Sequence, residues 1–131
     1  MILQCDHYNA DQSWHLVCIV RLPAPWPSGA PRPTDVSLRV RLRRNAYDDQ
    51  SFGRVERLGP SGWHDVVARP ISALRCREVS YTGDGALDLF EADAIDLLWL
   101  AGSALGLPTA ERREVFVKLL AEDFTAFRTK S

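Results

Sequence analysis

From Val36 to Arg43 the chain alternates without a break: Val36, Leu38, Val40 and Leu42 are apolar, and Ser37, Arg39, Arg41 and Arg43 between them are polar. Successive side chains of a strand point to opposite faces, so this is the pattern of a strand with one buried side. Two earlier runs, Ile2 to Tyr8 and Ser13 to Leu22, also read as extended and are separated by the polar Asn9-Ala10-Asp11-Gln12. Short polar connections of that kind join hairpin strands. A symmetric hairpin puts Leu3, Cys5 and His7 on one face with Trp14, Leu16, Cys18 and Val20, a natural core side. Asn45-Ala46-Tyr47-Asp48-Asp49 makes a turn, and Gln50 to Leu58 follows as a partner strand. Gly59-Pro60-Ser61-Gly62 is a strong turn signal before a short strand from Trp63 to Ala68. Arg75 to Tyr81 is a candidate for one strand more.

The period changes near Thr82-Gly83-Asp84-Gly85. Ala92, Ile95, Leu98, Trp99 and Leu105 recur at helical spacing, with Asp84, Asp88, Glu91 and Asp93 near the start, where a helix favours negative charge. Gly106-Leu107-Pro108 stops that helix. Thr109 caps a second, with Glu111 in its first turn and Phe116, Leu120, Phe124 and Phe127 along one stripe. The fold class expected is α+β: an antiparallel β-meander of about five or six strands, then two C-terminal helices packed on one sheet face. The whole of 1–131 is expected to be one domain, β-rich over 1–82 and helical over 84–130.

Composition narrows the function classes. At 46% hydrophobic and 25% charged residues the chain has ordinary globular values. Its net charge of −1 gives no overall attraction to nucleic acid or anionic membrane, so any such contact needs a local patch. The N-terminal residues lack the basic segment and apolar run of an export signal, and no apolar stretch approaches the roughly 18 residues of a spanning helix. A cytoplasmic location, no membrane partner and reduced cysteines are therefore expected. Lys118 and Lys130 are the only lysines, a bias toward arginine that suggests a GC-rich bacterial genome.

The segment from Pro23 to Pro33 holds five of the eight prolines and reads, over about residues 23–34, as a stiff polyproline-like loop. Trp26, between Pro25 and Pro27, either covers the sheet edge or stands out as a hydrophobic anchor for a protein partner. The leading expectation is accordingly a non-catalytic binding or accessory protein acting through protein–protein contacts or self-association, with Trp26, Pro25 and Pro27 as contact residues.

The alternative uses the arginine row: Arg39, Arg41, Arg43 and Arg44, with Arg54 and Arg57 on the neighbouring strand. Arginines at alternate positions share a face and reach successive phosphates, which makes Arg39, Arg41, Arg43 and Arg54 candidate nucleic-acid contacts. Such a surface also wants aromatic side chains. Phe52 shares the face with Arg54, but the row itself contains none; a solvated face paired with Glu56 is the plain reading.

A second alternative is a small hydrolase site near His64, with Asp48 or Asp49 orienting it and Ser51 or Ser61 as nucleophile. Asp65 is adjacent in a strand and points to the other face, and no nucleophile elbow or HExxH specifies the geometry. Cys5, His7 and Cys18 converge on the hairpin but lack the fourth ligand and paired spacing of a zinc site. The acidic cluster of Asp84, Asp88, Glu91, Asp93 and Asp96 lacks the alternate oxygens of a calcium loop and fits helix-start chemistry better. No metal or cofactor is expected. The stretch from Arg43 to Ser51 has the look of a signature without an attached function.

Overall fold

The computed structural model describes residues 2–22, 36–72, 84–106 and 113–130. Five strands, β1 (Ile2–Ala10), β2 (Ser13–Leu22), β3 (Val36–Arg44), β4 (Phe52–Gly59) and β5 (Gly62–Pro70), form one antiparallel sheet in sequential order. Two helices follow, α1 (Asp84–Ala104) and α2 (Arg113–Lys130). The α+β meander with a C-terminal helix pair is therefore the fold.

Turn chemistry sets the sheet's register. Asp11 and Gln12 both adopt left-handed φ values, 53° and 59°, so the first connection narrows to a two-residue hairpin turn whose twist suits antiparallel strands. Ala10 then faces Ser13, and Cys5 faces Cys18. At the second hairpin Gly59 faces Gly62, whose φ of 117° only glycine adopts readily. In β3 the inward positions are buried and the outward ones half-buried along the whole strand.

The helices cover one sheet face. α1 lies against β2, β3, β4 and β5, and α2 against α1 and β1. Leu16, Cys18, Val20, Leu38, Val40, Leu42 and Val55 of the sheet meet Ala94, Leu97, Leu98 and Ala101 of α1 and Phe116, Leu120 and Phe124 of α2. At Gly53 the inner position is filled by its neighbours: a Cβ there would stand 2.5 Å from both Leu42 Cδ2 and Leu97 Cδ1. Trp99 meets Phe116 edge-on, at 5.6 Å between ring centroids. Gly106, at a left-handed φ of 72°, ends α1.

Several expectations need correction. Leu3 is 51% exposed, because β1 bulges between Ile2 and Gln4 and Ile2 takes the core position opposite Val20. Ala92 is exposed; Ile95 and Leu98 of the expected stripe are buried, joined by Ala94, Leu97 and Ala101. Arg44 and Arg57 do not belong to the arginine face. Arg44 lies opposite Trp14 and is buried, with Nε donating to Ser72 O at 2.8 Å and its guanidinium paired with Asp93 of α1. Arg57 is paired with Leu38, on the helix side. The candidate strand from Arg75 to Tyr81 and the cap at Thr109 lie outside the described residues.

Candidate functional site

The face turned away from the helices is organised in cross-strand rows. The first runs Tyr8, His15, Arg43, Phe52; the second Asp6, Val17, Arg41, Arg54, Ala68; the third Gln4, Ile19, Arg39, Glu56, Asp65. The first is aromatic around one arginine, the second sets two arginines side by side, and the third contains the counter-charges. Arg39, Arg41, Arg43 and Arg54 thus share one face, as their spacing implies.

The third row is largely neutralised. Arg39 grips Glu56 with two hydrogen bonds, Nε to Oε1 at 3.1 Å and an Nη to Oε2 at 3.0 Å, and Arg41 Nε approaches Oε1 at 3.0 Å. Glu56 is buried. Burial alone would push its pKa up, but the hydrogen bond from Arg39 and the charges of Arg41, Arg39 and Arg54 outweigh it and hold the carboxyl below its ordinary value. The Arg39 guanidinium also lies over the Trp63 ring, 4.6 Å from its centroid.

The first two rows border a hollow of about 340 Å³, lined by Tyr8, His15, Val17, Arg41, Arg43, Phe52 and Arg54 together with Leu16 and Leu42. Among the described residues no carboxylate lines it. Arg43 makes no ion pair among the described residues; its Nε donates to Ser13 Oγ at 3.2 Å, which aims the guanidinium without neutralising it. Among the described residues the ion pair of Arg54 is with the exposed Asp65, at 3.9 Å, and its Nε, shielded from solvent, has no hydrogen-bond partner there. Its guanidinium lies 5.6 Å from the Phe52 ring centroid. On the opposite wall Tyr8 and His15 stack with centroids 4.9 Å apart and planes 8° from parallel. His15 Nε2 donates to Ala10 O at 3.2 Å. The aromatics missing from the arginine row come from neighbouring strands, brought alongside it by the register.

The segment from Asn45 to Ser51 is the scaffold at the end of this hollow. Buried Asn45 donates through Nδ2 to Ser13 Oγ (3.2 Å) and Gln50 Oε1 (2.8 Å), while its Oδ1 accepts from Tyr47 N (2.8 Å). Ser51 Oγ accepts from Asn45 N at 3.1 Å and donates to Tyr47 O at 3.0 Å. These bonds satisfy the buried polar groups and fix Ser13, and through it Arg43. The distinctive sequence is explained by backbone-satisfying turn chemistry.

The other candidates fare differently. His64 is exposed and shares a 3.2 Å hydrogen bond with Ser61 Oγ on the turn beside it. The His64 side chain makes no other hydrogen bond among the described residues, so none of them orients it as a base; Ser51 is engaged in the Asn45 knot. Asp93 pairs with Arg44 and Asp96 with Arg113 at 3.2 Å, which makes them helix-anchoring groups rather than a cation cluster. Cys5 and Cys18 meet, but His7 faces Leu16, and no group of three metal-ligating side chains occurs among the described residues. Pro25, Trp26 and Pro27 lie outside the described residues, as does Cys76. No described helix is long and apolar enough to cross a membrane.

No protein family, characterised protein or solved structure matches the chain.

Proposed function

We propose that this chain is a non-catalytic binding module whose arginine-lined sheet face takes up single-stranded nucleic acid. The observation that carries the reading is the hollow in which Arg41, Arg43 and Arg54 stand among Tyr8, His15 and Phe52, with no carboxylate among the described residues of the lining. A flexible polyanion with planar bases asks for that combination: guanidinium groups for phosphates, ring faces for bases. An acidic protein segment would use the arginines but gain less from the flanking rings. With a net charge of −1 the chain is not a general polyanion binder, so affinity must come from this patch alone.

The test is fluorescence anisotropy of labelled single-stranded DNA and RNA oligonucleotides at several salt concentrations. Binding is expected to weaken with salt, with a log–log slope of about −2 for three phosphate contacts to a single strand. Arg43→Glu with Arg54→Glu is expected to weaken it at least about tenfold, since each lost charge-assisted contact is worth about 1.5–3 kcal/mol. Circular dichroism checks that the variant stays folded. No binding at low salt, or binding indifferent to the double variant, rejects the reading. A salt-insensitive interaction lost on Trp26→Ala would instead support a protein-contact role for the proline-rich loop.

A further inference from the structure

We infer that Cys5 and Cys18 form a peroxide-sensitive thiol pair that closes to a cross-strand disulfide between β1 and β2. The argument begins at the hairpin turn. Ala10 and Ser13 flank a two-residue turn, and such residues form a hydrogen-bonded rung. Rungs alternate between bonded and non-bonded along an antiparallel pair. Asn9–Trp14 is therefore non-bonded, Tyr8–His15 bonded, His7–Leu16 non-bonded, Asp6–Val17 bonded, and Cys5–Cys18 non-bonded. The pairing is unbroken over this stretch, since the β1 bulge lies beyond it, between Ile2 and Gln4.

Non-bonded partners bring their Cα atoms to about 4.5 Å with side chains on the same face, and disulfides span Cα separations from about 4.4 to 6.8 Å. A slip of one rung would place the two sulfurs in the wider geometry. The two residues are direct cross-strand partners, and both thiols are free.

Their environments divide the chemistry. Cys5 lies in an outer strand and is partly exposed, whereas Cys18 is fully buried in the core. The hydrogen bond to Cys5, burial, and the charges of Cys5 and Asp6 all push the Cys18 thiol up, so it stays protonated. Cys5 is the thiol that meets the oxidant. Its thiolate attacks one peroxide oxygen, the O–O bond breaks, and hydroxide leaves, giving the Cys5 sulfenic acid. The Cys18 sulfur then attacks the Cys5 sulfur and the S–O bond breaks. The hydroxide released takes the Cys18 proton and departs as water. In sum two thiols and hydrogen peroxide give one disulfide and two waters; the cysteines are oxidised and the peroxide reduced.

The test treats the folded full chain carrying Cys76→Ala with hydrogen peroxide, alkylates residual thiols, and measures intact mass without reductant. The expected main product is a monomer lighter by two hydrogens and resistant to alkylation. Digestion before Asp6 and Asp11 should leave the Cys5 and Cys18 peptides joined until dithiothreitol is added. Cys5→Ser in the same background should abolish the product, and the disulfide form should unfold at a higher temperature until reduced. Overoxidised Cys5 with Cys18 still alkylatable, a disulfide-linked dimer, or unreacted thiols when the urea-unfolded chain oxidises would each overturn the proposal. The wild-type chain, mapped in parallel, keeps the test decisive even if Cys76→Ala fails to fold: a dominant Cys5–Cys18 link supports the pair, and a dominant link to Cys76 rejects it.

Discussion

Glu56 sets how much of the arginine face carries unpaired charge, because it holds Arg39 and Arg41. Its folded pKa is depressed, so its contribution to stability is complete above the ordinary carboxylate value of about 4.3 and is lost as pH falls through the lower folded value. Urea unfolding followed from neutral pH into the acid range is expected to show wild type losing this increment while Glu56→Gln does not. The same substitution frees Arg39, so oligonucleotide binding at low salt should strengthen, with a slope steeper by roughly 0.7 for that added phosphate contact. Gly53 sets a different constraint. A side chain there would meet Leu42 and Leu97 at impossible distances, so Gly53→Ala must push α1 outward or force both leucines to shift. The expected cost is about 1–3 kcal/mol, read from the urea midpoint at unchanged m.

At the scale of elements, the joint between sheet and helices depends on Arg44 and Asp93, which tie the end of β3 to the middle of α1. Asp93→Ala leaves a buried guanidinium short of its carboxylate. It should cost about 2–4 kcal/mol by chemical denaturation, below the fully buried case because Asp93 keeps some solvent contact. Arg44→Met with Asp93→Leu should recover much of that loss, since no charge is then left alone in the core. This joint also marks where sequence patterning stops being legible. The alternation of Val36 to Arg43 showed β3 and its buried face because burial on one side of a strand imposes a period of two. Arg44 continues that alternation onto the core side, and the sequence does not announce that a partner waits on α1. Leu3 was misplaced for a related reason: a bulge adds one residue to a strand without altering its composition, so periodicity alone puts Leu3 inside. The helix stripe was found, but its centre lay nearer Ala94 and Leu97 than Ala92, because α1 meets the sheet on two adjoining rows.

For the molecule as a whole, the arginine row was visible as a spacing, whereas the hollow beside it was not. Tyr8 and His15 come from the first hairpin and Phe52 from β4, far apart along the chain. Only the turn lengths and the resulting register carry them to Arg43. The same holds for the segment from Asn45 to Ser51, whose unusual composition is intelligible once its hydrogen bonds are seen to close on Ser13 of a distant strand. Charge at this scale is divided: the three arginines of the hollow lie on one side of the sheet, while Arg44 is matched by Asp93 of α1 on the other.

The two irregularities of the sheet have one more consequence. The bulge between Ile2 and Gln4 falls in β1, and the register shift opposite Val55 and Glu56 inserts its extra residue in β5, which ends at Pro70. In the described sheet these are the two outermost strands. A flat outer strand exposes a regular ladder of amide and carbonyl groups that another polypeptide can copy, and bulges and proline interrupt that ladder. The inner strands keep the straight geometry that the arginine rows require, while the margins discourage neighbouring chains from zipping on. The sheet is thereby kept from becoming a seed for aggregation.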